Sequence, residues 1–443
     1  MNKEKDMYYA SRLAKMIQCK TISKKDGFEE TEFLKLRKVI QELFPLVSEK
    51  AELLVFSDDA YLYKFKGKDE SRNVMVMSHH DVVDATGDWQ ESPFEGTIKD
   101  GKIWGRGTVD TKTPLFAEFS AIEELLQEGF EFNVNTYLFS SHNEEIGGDG
   151  AVLALDYFNS NHIHFEWISD EGGAVIEPPM AGVNKKCAMM AVHEKGRCVA
   201  KLIAKNSQGH AGLAANHQTP TMRMAKFIAE VDEKKPFIRK LHPEVKGMFE
   251  AMAPHMSFPM RFVFSNLWLF SNLLIRIIPK MNAAAGEMLG TGCTFRKLST
   301  DEEGSCYGEA FLRCINDKDL EQDIQSMKQI ASQYDVEIVV EENEYYKPSS
   351  LESKGYVYVK QTVEKVFDYA AAVPFILPAG TDARRFTYIC DAVIRFAPID
   401  IDNQQYASVH SENENFSVDK LSLAVEFYKE LIKNMNNEKT SLI

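Results

Sequence analysis

Val74-Met-Val-Met-Ser-His-His-Asp-Val-Val83 passes from an apolar run straight into two imidazoles and a carboxylate. A short apolar run of this kind reads as a buried strand. Polar groups just past a strand's carboxyl end stand where open α/β sheets place their sites. Further on, Leu115, Phe116, Phe119, Ile122, Leu125 and Leu126 recur at three- and four-residue steps. That spacing predicts a helix, with Pro114 tolerated in its first turn and Gly129 ending it. Asn135-Thr-Tyr-Leu-Phe-Ser-Ser141 and Phe165-Glu-Trp-Ile-Ser169 read as further strands. The alternation of strand, helix and strand predicts an α/β catalytic domain, a mixed and mostly parallel sheet flanked by helices.

The character changes near His193-Glu-Lys-Gly-Arg197. Cys198-Val-Ala-Lys-Leu-Ile-Ala204 alternates like a half-exposed antiparallel strand. A helix around Met222 to Val231, a strand over Glu309 to Cys314, a helix from Leu320 to Gln333 and a strand over Val336 to Val340 follow. Residues 195–343 are therefore expected to form an inserted α+β lid or dimerisation domain. Residues 1–194 and 344–443 would form the catalytic domain, capped by a helix from Val418 to Asn434. A chain of 443 residues is too long for one ordinary core, in keeping with two domains. The stretch Phe262 to Ile278 is apolar enough to invite a membrane reading. Two serines, two asparagines and Arg276 interrupt it, so it reads as a buried or interface helix pair.

Hydrophobic content of 44% with 26% charged residues is that of a soluble globular protein. A net charge of −15 leaves no basic surplus to displace counterions, which argues against nucleic acid as a partner. No membrane partner is expected either. The charged start, Met1-Asn-Lys-Glu-Lys-Asp6, lacks the apolar core of a secretory signal, and the seven dispersed cysteines form no Cys-x-x-Cys pair. Both features predict a reduced, cytoplasmic protein.

Five fragments carry chemistry. In an extended segment, residues i and i+2 point the same way, so Asp81 can accept the second imidazole N–H of His79 and fix its tautomer. His80 would face away. Asp110 follows Trp104-Gly-Arg-Gly-Thr-Val109, where the glycines let the backbone turn tightly; alone it would be a helix cap, beside metal a bridge. Glu144-Glu145 precedes Gly147-Gly148. Adjacent buried carboxylates repel, but next to metal they divide the labour: Glu145 binds and Glu144 stays free as general base. Asp170 opens Asp-Glu-Gly-Gly173 after a strand, and His410 sits in Ser408-Val-His-Ser-Glu-Asn-Glu414. Two imidazoles with several carboxylates suit two zinc ions, with cobalt or manganese possible in their place.

Together these fragments resemble the di-zinc peptidase and deacylase family of acetylornithine deacetylase, succinyl-diaminopimelate desuccinylase, carboxypeptidase G and the bacterial dipeptidases. Ser78-His-His-Asp-Val-Val83, Gly101-Lys-Ile-Trp-Gly-Arg-Gly-Thr-Val-Asp-Thr-Lys112, Asn143-Glu-Glu-Ile-Gly-Gly148, Glu194-Lys-Gly196, Gly209-His210, Ala379-Gly-Thr-Asp-Ala-Arg384 and His410 occur in the family's order over nearly the whole chain. Asn266-Leu-Trp-Leu-Phe270 and Ile394-Arg-Phe-Ala-Pro398 look nearest to its carboxypeptidase S-like branch. The resemblance implies that His79, Asp110 and Asp170 hold one zinc, and Asp110, Glu145 and His410 the other. It makes Asp81 and Glu144 catalytic partners of that centre. It also makes His210 the histidine that steadies the oxyanion in a neighbouring subunit's site, hence a homodimer through the inserted domain. Gly380, Thr381 and Arg384 would grip a substrate carboxylate, Arg313 would be a second anion-binding arginine, and Asp110–Thr111 a cis peptide.

Two departures bear on substrate rather than metal. No Asn-x-x-Pro run lies between Cys293 and Arg313, and the Gly209-His210 motif continues Ala-Gly-Leu-Ala-Ala-Asn-His-Gln-Thr-Pro220 instead of the usual Ser with a nearby Pro. The expected reaction is metal-dependent hydrolysis of a dipeptide, short peptide or N-acyl amino acid. The alternatives are a dedicated N-acyl amino acid deacylase and, from another class, a catalytically silent ligand-binding homologue.

Overall fold

Strand Val134–Ser140 is buried at every position, and strand Asp69–Met77 is buried from Asn73 onward. Burial on both faces is why these segments read as continuous apolar runs, and it places them at the centre of a sheet. The computed structural model describes residues 3–206, 219–281 and 283–436. Its larger sheet has nine strands. Their order is Glu52–Phe56, Ala60–Phe65, Val134–Ser140, Asp69–Met77, Trp167–Asp170, Val393–Arg395, Lys186–Glu194 and Ala370–Leu377, with Val175–Ile176 beside Lys186–Glu194. The run from Val134–Ser140 to Val393–Arg395 is parallel throughout, and the first two strands close one edge antiparallel. The expected mixed α/β architecture is present.

Helix Lys112–Gln127 starts directly after the Gly105–Asp110 loop and buries almost all of its length. Phe116, Phe119, Ile122 and Leu125 share a core with Phe427, Tyr428 and Leu431 of the terminal helix Leu421–Met435. That helix begins three residues later than the sequence pattern suggests, because Val418–Lys420 forms a short 3₁₀ turn.

A second, four-stranded antiparallel sheet runs Gly292–Thr300, Cys306–Cys314, Gly196–Ala204, Glu337–Glu344. Gly196–Ala204 alternates buried and half-buried residues at each step, as its pattern predicts. Helices Pro220–Lys234 and Asp317–Gln333 cover this sheet through Met224, Phe227, Ile324 and Met327. The helices between 243 and 281 behave differently. Val245, Met248, Phe249, Leu274 and Ile278 join Met189, Val373 and Phe375 in one core. This part of the 195–343 stretch thus packs on strands Lys186–Glu194 and Ala370–Leu377 of the larger sheet.

Candidate metal centre

His79 emerges just past the end of strand Asp69–Met77, and its Nε2 lies 3.0 Å from Asp110 Oδ1. The other oxygen, Asp110 Oδ2, lies 3.0 Å from His410 Nε2. His410 Nε2 is also 3.0 Å from Glu145 Oε2. Asp110 therefore shows one oxygen to each imidazole, the disposition a bridging carboxylate requires. Ligand atoms of His79, Asp110 and Glu145 all fall within 4.8 Å of one another. Asp170 ends strand Trp167–Asp170, buried and outside that tight group. Its oxygens accept from the backbone N–H of Glu171 at 2.8 Å and of Ala383 at 3.1 Å. His410 reaches the group from a left-handed backbone conformation, φ 56°. His80 turns to the other face, where it stacks on Tyr61 with ring centroids 4.4 Å apart. The Asp110–Thr111 peptide is cis, as the resemblance implied.

Asp81 does more than sequence spacing suggests. Its Oδ1 is 3.3 Å from His79 Nδ1, while its own carbonyl oxygen is nearer to that nitrogen, at 3.0 Å. The carboxylate also accepts the backbone N–H groups of Glu144 and Glu145, each at 3.1 Å. It thereby fixes the 3₁₀ turn Glu144–Ile146 that carries both glutamates.

Glu414 was not legible as a site residue. Fully buried, it accepts the N–H groups of Gly107, Val109 and Asp110 at 3.1, 2.7 and 3.1 Å, and pairs with Arg106 Nη1 at 2.7 Å. One side chain thus ties the His410 loop to the Asp110 loop. The available signal was Arg106 itself: an arginine between two glycines in a tight turn needs a carboxylate. Arg395 has the same logic. Buried at the end of strand Val393–Arg395, it meets Glu194 Oε2 at 3.0 Å and Thr381 Oγ1 at 3.1 Å. This pair anchors the Gly380–Arg384 loop, whose Thr381 N–H donates to Glu194 at 3.3 Å. Arg384 Nη1 donates to Thr381 O at 2.6 Å and stands 3.7 Å from Glu144 Oε1. Arg313 Nη2 donates to the carbonyls of Pro378 and Ala379, both at 2.8 Å, so it braces the backbone leading into the Gly380–Arg384 loop. His210 lies outside the described residues.

Burial dominates the electrostatics. It pushes Asp170 up to about 7 and Glu144 well above the usual carboxylate range, with Asp382 adding to the shift. Glu171 rises for the same reason, with Asp170 and Asp110 as neighbours. Burial opposes a charge on His79, yet its bonds to Asp110 and Asp81 outweigh it and hold the imidazole well above its ordinary value. Asp110 and Glu145 raise His410 to about 10. Protons on the two imidazoles thus balance a crowd of carboxylates. Nitrogen and oxygen donors converging around a shared carboxylate fit a pair of divalent cations, which would take over that neutralising role.

Two outcomes follow from this balance. Because both imidazoles are raised, cation binding must expel protons, so apparent affinity for zinc rises with pH through the neutral range. Calorimetry in buffers of different ionisation enthalpy checks this, and a buffer-independent heat would contradict it. Glu414→Ala leaves Arg106 buried and unpaired, and urea unfolding of the metal-free protein is expected to show a loss of about 3–5 kcal/mol.

The family model for peptidase family M20/M25/M40 matches residues 75–434. A probable carboxypeptidase S-like 2 of Dictyostelium discoideum is 29% identical over 449 residues, covering 97% of this chain and 85% of that protein. The N-fatty-acyl-amino acid synthase/hydrolase PM20D1 of Xenopus tropicalis is 26% identical over 412 residues, covering 90% of this chain and 80% of its own. The M20 family metallo-carboxypeptidase Sso-CP2 of Sulfolobus solfataricus shares the fold, with a TM-score of 0.68 at 18% identity over 98% of this chain and 100% of that one. With the match running from the strand before His79 to the terminal helix, the chain belongs to peptidase family M20/M25/M40 and is a metal-dependent amide-bond hydrolase of that family.

Proposed function

We propose that the protein releases an amino acid with a free carboxylate from a dipeptide, short peptide or N-acyl amino acid, using two zinc ions, or cobalt or manganese in their place. The observation that carries this reading is Asp110 presenting one oxygen to His79 and the other to His410, with Glu145 against the second imidazole. His79, Asp110 and Asp170 would hold one ion, and Asp110, Glu145 and His410 the other. When bound, such ions acidify a water molecule and polarise the scissile carbonyl. Glu144 takes the proton from the attacking water at its carboxylate and returns it to the leaving amine. Its buried setting, which raises its proton affinity, suits a group that must hold a proton between those two steps. Asp81 keeps Glu144 and His79 in register through the bonds described above. Arg384, held beside Glu144 by Thr381, is placed to receive a substrate carboxylate with its planar fork. Gly380 and Thr381 shape the loop that presents it. His210 would donate to the oxyanion.

The names of the carboxypeptidase S-like and N-fatty-acyl-amino acid relatives point to amides that share a free amino acid as product, and the second of them favours the deacylase alternative. The intact ligand set and base argue against a silent homologue. Metal-loaded protein assayed on dipeptides beside short- and long-chain N-acyl amino acids decides between peptidase and deacylase. Glu144→Ala is expected to lower turnover by about 10²–10⁴-fold or more on whichever class is cleaved, while mass spectrometry still counts two bound ions. Near-normal turnover in that variant would sink the mechanism.

We also propose a homodimer through the inserted domain, in a reducing, cytoplasmic compartment. The four-stranded sheet ends on strands Gly292–Thr300 and Glu337–Glu344, where Leu298, Val339 and Val340 are exposed. Such edges invite pairing with a second copy. All seven cysteines are unpaired, which supports the compartment. Sedimentation velocity should show a dimer that Val339→Lys weakens; a monomer with full activity would rule out His210 acting across subunits.

A further inference from the structure

Helices Phe258–Phe264 and Leu267–Met281 meet at an angle of 105°. One face of the pair is in the protein: Phe264, Leu267, Leu274 and Ile278 are buried in the core shared with strands Lys186–Glu194 and Ala370–Leu377. The other face is apolar and uncovered. Phe258 and Trp268 are each 80% exposed, Leu269, Leu273 and Phe262 more than half. Leu269, Leu273 and Ile277 fall at i, i+4 and i+8, so they form one straight ridge along the second helix. Phe262 packs edge-on against Phe270, with centroids 5.9 Å apart, and joins the first helix to that ridge.

Charge identifies what this face suits. Arg261, Arg276 and Lys280 are all exposed beside the ridge. No aspartate or glutamate occurs between Glu250 and Glu287, in a chain whose net charge is −15. Among the described residues none of the three cations has a carboxylate partner within ion-pair distance. We propose that this helix pair docks the protein on an anionic phospholipid surface. Trp268 and the apolar ridge enter the headgroup boundary, and Arg261, Arg276 and Lys280 meet lipid phosphates. An apolar face rimmed by cations and carrying an exposed tryptophan is the pattern of a helix lying in the plane of a bilayer surface. The pair bends by 105° and keeps one face in the core shared with the larger sheet, which fits a helix pair lying on a bilayer surface. A second copy on the same face is disfavoured, because a twofold contact sets each cation against cations, with no carboxylate in the segment to answer them. The proposal stands apart from the choice of substrate. It revises the expectation that no membrane is among the partners, since the sequence spoke only against a span.

The test is co-sedimentation of the full-length protein with vesicles of phosphatidylcholine alone or mixed with phosphatidylglycerol. Binding is expected to the mixed vesicles, to weaken with salt, and to fall about tenfold in the double variant Trp268→Ser, Leu273→Ser. The triple variant Arg261→Gln, Arg276→Gln, Lys280→Gln should lose the preference for anionic lipid. As a check that does not depend on a disruptive change, bromine-labelled lipid should quench the tryptophan emission of the native protein and leave Trp268→Phe unquenched. The proposal is overturned by absence of binding to either vesicle, by variants that bind as the native protein does, or by a lipid-free homodimer that the Trp268 and Leu273 changes abolish. The last result would assign the face to a second copy.

Discussion

Carboxylates gathered in a dry pocket repel one another and lose their hydration, so each must be answered by a donor or a cation. This constraint shapes the centre of the molecule. Asp81 is answered by the N–H groups of Glu144 and Glu145, and Asp170 by that of Ala383. Glu414 receives three loop N–H groups and Arg106, and Glu194 receives Arg395. Each of these bonds also links segments far apart in the chain, so answering the charge and assembling the site are one event.

The sheet makes that economy possible. Its central strands run parallel, so their carboxyl ends deliver His79, the Glu144–Glu145 turn, Asp170 and Arg395 to the same edge. Such convergence of loops is general at the ends of parallel strands. What is particular here is Asp81, a carboxylate held by two backbone amides whose side-chain partner is a histidine. The donors fix position without adding net charge, and leave the imidazoles and the remaining oxygens available to a metal ion. Burial pushes the proton affinity of Glu144 up in that turn.

The central strands and the helix after Asp110 were legible because burial on both faces or one face leaves a clean periodic trace. Boundaries shifted by a few residues, as at Val418–Lys420, where a 3₁₀ turn replaces the first turn of the helix. The role of Asp81 was half legible: i, i+2 spacing brings it to His79, but nothing local shows that its oxygens will meet amides some sixty positions away. Glu414 and Arg395 were illegible as site residues for the same reason, although a buried arginine always demands a partner. Helices 243–281 misled more. Their apolar residues announce a core, and sequence order assigned it to the inserted block, whereas the structure shares it with strands Lys186–Glu194 and Ala370–Leu377.

Sequence alone marked out the candidate side chains that the fold gathers around Asp110, because residue type, glycine turns and strand-end placement are local properties. Tertiary structure alone decided how they are held and what surrounds them. It gave Asp110 an imidazole on each oxygen, set Arg384 beside Glu144, turned Arg313 onto a loop backbone, and left one face of the 258–281 helix pair uncovered. The physical reason is that charge neutralisation and apolar burial depend on distances between groups that have no fixed separation along the chain.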